Sequence, residues 1–183
     1  MAALVRRAHV AGCGLAALHE PLAHPQVPVG ARLEQRGGAA VVAAVGVGGR
    51  GRSNIQACSH ENIYALCDID DNEIAETLKE DWADPFRGKT KTYRDYREML
   101  SGEPEIDALI ISTPDHMHTP IASNAMDLGK HLHIEKPLCH TVAEARFLAR
   151  RSRETNIVSQ MGNQGHAGEG ARLINEWVAD GVL

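Results

Sequence analysis

Three stretches of this sequence combine residue types that could hold a phosphorylated ligand and move a proton. They are Gly46-Val47-Gly48-Gly49-Arg50-Gly51, Ser112-Thr113-Pro114-Asp115-His116-Met117-His118 and Glu135-Lys136-Pro137. The first matches G-x-G-x-x-G. Gly46 permits a tight turn, and Gly48 lets the backbone approach a pyrophosphate with no Cβ in the way. Gly51 allows a helix to pack closely on a strand, and the free N–H groups at the start of that helix suit phosphate oxygens. Gly49 and Arg50 complete the turn and count as candidate ligand contacts. Asp68 stands seventeen positions after Gly51, where a carboxylate can bind both hydroxyls of a ribose. A 2′-phosphate there would face Asp68, Asp70 and Asp71 with no Arg or Lys nearby, so NAD is favoured over NADP. Methyltransferases that bind S-adenosylmethionine share this glycine turn and acid, so the pair alone leaves the ligand open.

These residues need a scaffold that brings turns together, and the sequence supplies one. Val41 to Val45 is an apolar run ending in Gly46, as in a buried strand, followed by a helix through Ile55. A second strand is expected over Ile63 to Cys67. Asn72 to Trp82 carries Ile74, Leu78 and Trp82 at helical spacing. A short extended piece near Thr90 to Tyr93 precedes a helical turn through Tyr96, Met99 and Leu100. Ala108 to Ile111 is a fully apolar strand. Thr119-Pro120 reads as an N-cap and first helical residue, starting a helix to about Leu128 that Gly129 ends. His131 to Ile134 is a fifth strand. Thr141 to Glu144 has the form of a capping box opening a helix to about Thr155, and Ile157 to Met161 is a sixth strand. A last helix places Leu173, Ile174, Trp177 and Val178 on one face. Strand and helix alternate throughout, which predicts an α/β doubly wound parallel sheet of the Rossmann kind. Both the Ser112 and the Glu135 segments then fall at carboxyl ends of strands, where such sheets bind ligands.

With these residues the chain resembles the Gfo/Idh/MocA family of oxidoreductases. The match runs from about Val41 to Leu183 and includes S-T-P-D-H-x-H, G-K-H-x-x-x-E-K-P and Q-M-G-N-Q-G-H at 160–166. The resemblance implies that Ser112, Thr113 and Pro114 line the dinucleotide and that His118 lies close to it. It implies that Lys136 stands near the nicotinamide and a substrate hydroxyl, which it helps polarise or deprotonate. Glu135 would hold the nicotinamide end, Pro137 would follow a cis peptide bond, and Asn163 and Gln164 would approach the nicotinamide or substrate edge. The implied activity is hydride transfer between NAD and a hydroxyl-bearing carbon of a sugar or polyol. Two alternatives stay open: an NAD-dependent glycosidase that oxidises its sugar transiently, and a non-catalytic dinucleotide-sensing module.

Family members are about twice this long and carry a second domain with a downstream Asp and His. The expectation is therefore a truncated member, weakly active or inactive alone, with exposed apolar surface and a homo-oligomeric full-length form. Residues 41–162 would be the NAD-binding domain and 163–183 the start of the linker to the absent domain. Residues 1–40 read as a disordered extension or a degenerate signal. Arg6-Arg7 has the look of a twin-arginine export signal, but the stretch behind it is broken by His9.

Composition agrees with a small-molecule site in a cytoplasmic-type protein. Hydrophobic residues make up 43% and aromatics only 4%, so Ala, Val, Ile and Leu must build the core. A formal charge of −5 argues against nucleic acid, and no apolar run is long enough to cross a bilayer. Cys13, Cys58, Cys67 and Cys139 form no C-x-x-C pair and read as reduced thiols. The i, i+2 pairs His116/His118 and His131/His133 lack a cysteine or carboxylate cluster, so no metal is expected.

Overall fold

The computed structural model describes residues 38–166 and 168–182. The expected signal or extension lies almost entirely outside the described residues. Six strands form one parallel sheet: β1 (Val41–Val45), β2 (Asn62–Cys67), β3 (Lys91–Tyr93), β4 (Ala108–Ile111), β5 (His131–Ile134) and β6 (Ser159–Met161). Their spatial order is β3-β2-β1-β4-β5-β6. The helices are α1 (Arg50–Ala57), α2 (Asp71–Lys79), α3 (Tyr96–Gly102), α4 (Asp115–Asp127), α5 (Val142–Thr155) and α6 (Glu169–Ala179). The Rossmann-type doubly wound sheet is the observed fold.

Every residue of β1 and β4 is buried, because helices cover both faces. Side chains alternate between two cores. Val42, Ala44, Leu66 and Ile110 meet Ile55 and Ile74 on one side. On the other, Ala43, Val45, Leu109, Ile111, Leu132 and Ile134 meet Met99, Ile121, Met126 and Leu148 from α3, α4 and α5. β1 is flanked by β2 and β4, and the connections leave it in opposite directions. That is the switch point, where the turns after β1 and β4 part and leave a crevice.

Local signals hold in most places. Thr141 and Glu144 form the reciprocal capping box. Gly129, at φ 68°, ends α4 with its N–H on the Met126 carbonyl and the Lys130 N–H on that of Ala125, a Schellman closure.

Three boundaries differ. The helix expected from Thr119 begins at Asp115, one turn earlier, and Pro120 lies inside it. Pro114 presets the entry, the Met117 N–H closes the first turn on the Pro114 carbonyl, and His118 is bonded to flanking turns. The helix expected to run to Trp82 stops at Lys79, and Trp82 sits in a 3₁₀ turn against Phe86. Arg87 explains the stop: its guanidinium donates to the carbonyls of Leu78, Lys79 and Glu80 at 2.6, 3.0 and 2.9 Å. β6 starts at Ser159 and not at Ile157, because Asn156 turns through φ 52° and the Val158 N–H donates to His131 Nδ1.

The apolar face expected on the last helix lies on α6. Leu173, Ile174, Trp177 and Val178 are all exposed, and the helix buries no residue. Among the described residues no helix is long and apolar enough to cross a membrane. Cys58, Cys67 and Cys139 are free thiols, and burial, first of all, raises the Cys67 thiol to about 12.

Candidate dinucleotide site

The glycine turn leaves β1 under backbone constraints that only glycine meets. Gly46 has φ +79°, its N–H bonds the Cys67 carbonyl at 2.9 Å, and a Cβ would lie 2.6 Å from the Ser112 carbonyl oxygen. A Cβ on Gly51 would collide with the Gly46 carbonyl. This turn is thus wedged between the ends of β2 and β4. Gly49 is the N-cap of α1 at φ 48°, has open space in front of it and offers no capping side chain. With no acid in its first turn and no capping side chain, α1 turns the positive end of its dipole to this space, although the Gly51 N–H is already closed on the Gly48 carbonyl at 2.8 Å. These features fit a dinucleotide pyrophosphate.

Gly48 shows a different neighbour from the one expected. The space a Cβ would occupy there is taken by the carboxylate of Glu73, from the first turn of α2. Arg52 holds that carboxylate at 3.0 Å and donates to Thr77 Oγ1 at 3.2 Å, while Thr77 donates to the Val47 carbonyl at 3.0 Å. The glycine turn is thereby bolted to α2.

Asp68 stands directly after β2, beside the glycine turn. One of its oxygens accepts from the Val47 N–H at 2.8 Å and the other from the Asp70 N–H at 3.1 Å. Two donors fix the carboxylate, which keeps lone pairs for further partners.

A second group is organised by Glu135, directly after β5. Its carboxylate is nearly buried and accepts from Asn54 Nδ2 at 2.9 Å, Arg50 Nε at 3.1 Å, Gln164 Nε2 at 2.6 Å and the Lys136 N–H at 3.2 Å. Burial alone would raise its proton affinity, but the bonds from Asn54, Arg50 and the Lys136 N–H outweigh it and hold the group below the ordinary carboxylate range. His133 lies 4.0 Å from the same carboxylate. Burial lowers the proton affinity of His133 against the pull of Glu135.

The sequence-level candidates therefore gather in two groups. Arg50, Ser112, Glu135 and Gln164 meet through Asn54, whose amide donates to both Glu135 and Ser112 Oγ, the latter at 3.1 Å. Asp68 belongs with Val47 and the start of α2. Lys136 is exposed beside the Glu135 group, and the Lys136–Pro137 bond is cis. Pro114 is exposed as the N-cap of α4. The Thr113 hydroxyl is buried without a partner among the described residues, and its carbonyl meets His118 Nε2 at 2.8 Å. His118 is buried beneath the two turns at 1% exposure. Beside Glu135 opens a cleft of about 330 Å³, lined by Arg50, Asn54, His133, Gln160, Asn163 and Gln164 over a floor of Ile110.

Asn54 lies outside every motif, and Gly162 lies inside Q-M-G-N-Q-G-H with no role assigned to it from the sequence. Asn54 interrupts the buried stripe of α1 between Gly51 and Ile55, and a lone amide on such a stripe is its only signal. Gly162 sits where a Cβ would lie 2.8 Å from Glu135 Oε1 and 3.1 Å from His133 Nε2.

Residues 41–163 match the family described as "Oxidoreductase family, NAD-binding Rossmann fold". The chain belongs to the Gfo/Idh/MocA family. NAD is the cofactor of this family's binding domain. Among its relatives is a glycosyl hydrolase family 109 protein of Shewanella putrefaciens, 31% identical over 151 residues that cover 78% of this chain and 32% of the relative. A scyllo-inositol dehydrogenase from Lactobacillus casei with bound NAD(H) and scyllo-inositol superposes with a TM-score of 0.65 at 22% identity, over 78% of this chain and 42% of that one. A myo-inositol 2-dehydrogenase from Lactobacillus plantarum gives 0.64 at 25% identity, over 78% and 42%. This Gfo/Idh/MocA chain thus spans about a third of the length of the curated relatives it matches. Among the described residues no three His, Cys, Asp or Glu side chains group as metal ligands.

Proposed function

We propose that the chain binds NAD along the carboxyl edge of the sheet, as part of a protein that oxidises a hydroxyl-bearing carbon of a sugar or polyol. The observation that carries this is the placement of the bare α1 N-terminus and the Glu135–Lys136 turn on either side of one switch point. Asp68 would take the adenosine ribose, the first N–H groups of α1 the pyrophosphate, and the Glu135 group with Asn163 and Gln164 the nicotinamide end. When bound, NAD supplies the hydride acceptor. Lys136, exposed at the turn that Glu135 holds, would polarise the substrate hydroxyl and take its proton. Titration with NADH and NADPH tests the reading. Saturable NADH binding that Asp68→Ala abolishes supports it, and binding of neither dinucleotide overturns it.

A second reading rests on the glycosyl hydrolase family 109 relative: a sugar is oxidised, its glycosidic bond is cleaved, and the product is reduced again on the same NAD. In the intact protein, release of reducing sugar without net NADH would favour it over a dehydrogenase.

A further inference from the structure

His118, in the first turn of α4, has both ring nitrogens engaged. Nε2 lies 2.8 Å from the carbonyl oxygen of Thr113, in the turn after β4, and Nδ1 lies 2.7 Å from that of Pro137, in the turn after β5. A carbonyl oxygen only accepts. A neutral imidazole has one N–H and one lone pair, so it could make one of these bonds and would press its lone pair against the other oxygen. A ring bearing hydrogen on both nitrogens makes both.

Little else joins these turns. β4 and β5 stay paired to Ile111 and Ile134, and the Glu135 N–H still reaches the Ile111 carbonyl. Beyond that point the Lys136 N–H is spent on the Glu135 side chain, and Pro137 has no N–H to give. Among the described residues no backbone hydrogen bond runs from 136–138 to 112–114.

We propose that His118 is a positioning residue: as a two-donor ring it latches the turn after β5 to the turn after β4 and so sets where Lys136 stands against the dinucleotide. The latch stands on its own geometry, whereas its consequence for binding rests on the function proposed above.

The test uses the whole chain at neutral pH. In a nitrogen-15 spectrum of the histidine rings, the His118 signals, assigned by their loss in His118→Phe or His118→Gln, should show hydrogen on both nitrogens in slow exchange with water. A ring with one N–H overturns the latch. NADH affinity should fall roughly tenfold or more in His118→Phe, and less in His118→Gln, whose amide can still donate to one carbonyl. Both are measured well below the melting temperature, and His118→Gln carries the comparison if the phenylalanine variant does not fold. Affinities within about twofold of the parent in the folded variants overturn the positioning role. The rate of reductive methylation of Lys136 by formaldehyde, read by mass spectrometry, needs no cofactor. It should change in His118→Gln, and an unchanged rate also overturns the role. If the parent binds no NADH, the proposed function fails, while the ring spectrum and the methylation rate still judge the latch.

Discussion

The Asn54 amide donates to the Glu135 carboxylate at 2.9 Å, joining residues 81 positions apart across the switch point of the sheet. Asn54 is on α1, whose N-terminus is proposed to take the pyrophosphate, and Glu135 on the turn that carries Lys136. This bond sets the distance between the two halves of the proposed NAD site.

Removing either partner should be costly because both are buried. Glu135→Ala leaves the Asn54 amide without its carboxylate and should destabilise the fold by about 2–4 kcal/mol. Arg50→Ala should cost less than about 1 kcal/mol, since the Arg50 side chain is half exposed and its pair with Glu135 is partly screened. Urea unfolding of both variants measures the order, and equal losses would contradict it.

Gly162→Ala places a methyl group against Glu135 and His133 without touching the glycine turn. It should displace the carboxylate from Asn54 and Gln164 and weaken NADH binding several-fold, with a stability loss of about 1–3 kcal/mol from overpacking. Calorimetric titration beside thermal melting separates the two effects.

Glu73→Gln should raise NADH affinity by about twofold to fivefold, because it removes a negative charge from the space in front of Gly48, where a pyrophosphate is expected. Gly46→Ala should do the opposite, since its φ of +79° and the Ser112 backbone leave a Cβ no room. Titration of the two variants under one salt concentration gives the comparison, and equal affinities would refute the charge argument.

Acid stability should be governed far from this site as well. Glu103 accepts from Lys91 at 2.7 Å, Tyr93 at 2.5 Å and Tyr64 at 2.7 Å. Burial pushes its proton affinity up, but these three donors prevail and bring it from 4.5 down to about 2. A carboxyl depressed in the folded state contributes stability that is present above its ordinary range and lost as pH falls through the folded value. The loss from Glu103 should therefore run from about 4.5 to about 2, and Glu103→Gln should flatten the fall of melting temperature across that window. Glu135, depressed by its own donors, adds to the fall in the same direction.

Much of the architecture is legible in the sequence. Alternating apolar runs and capped helices identify six strands and their helices, because burial on two faces and hydrogen-bond capping are local demands on residue type. The glycines after β1 and the acid after β2 are legible for the same reason: a positive φ at Gly46 and a carboxylate at a strand end are written in single positions. The E-K-P turn and its cis bond come from family resemblance.

Partnerships at long range are a different matter. Nothing near Leu78 announces that Arg87 caps α2, and nothing near Thr119 announces that α4 starts a turn early with His118 fastened to Thr113 and Pro137. Nor does the sequence say that Glu73 fills the space before Gly48, or that Asn54, Arg50 and Gln164 converge on Glu135. Sequence by itself determined which segments become strands and helices and where a dinucleotide turn lies, since backbone geometry and periodic burial are properties of neighbouring residues. Only the tertiary structure decided which donors meet which acceptors, since that depends on how a parallel sheet brings distant turns to one edge.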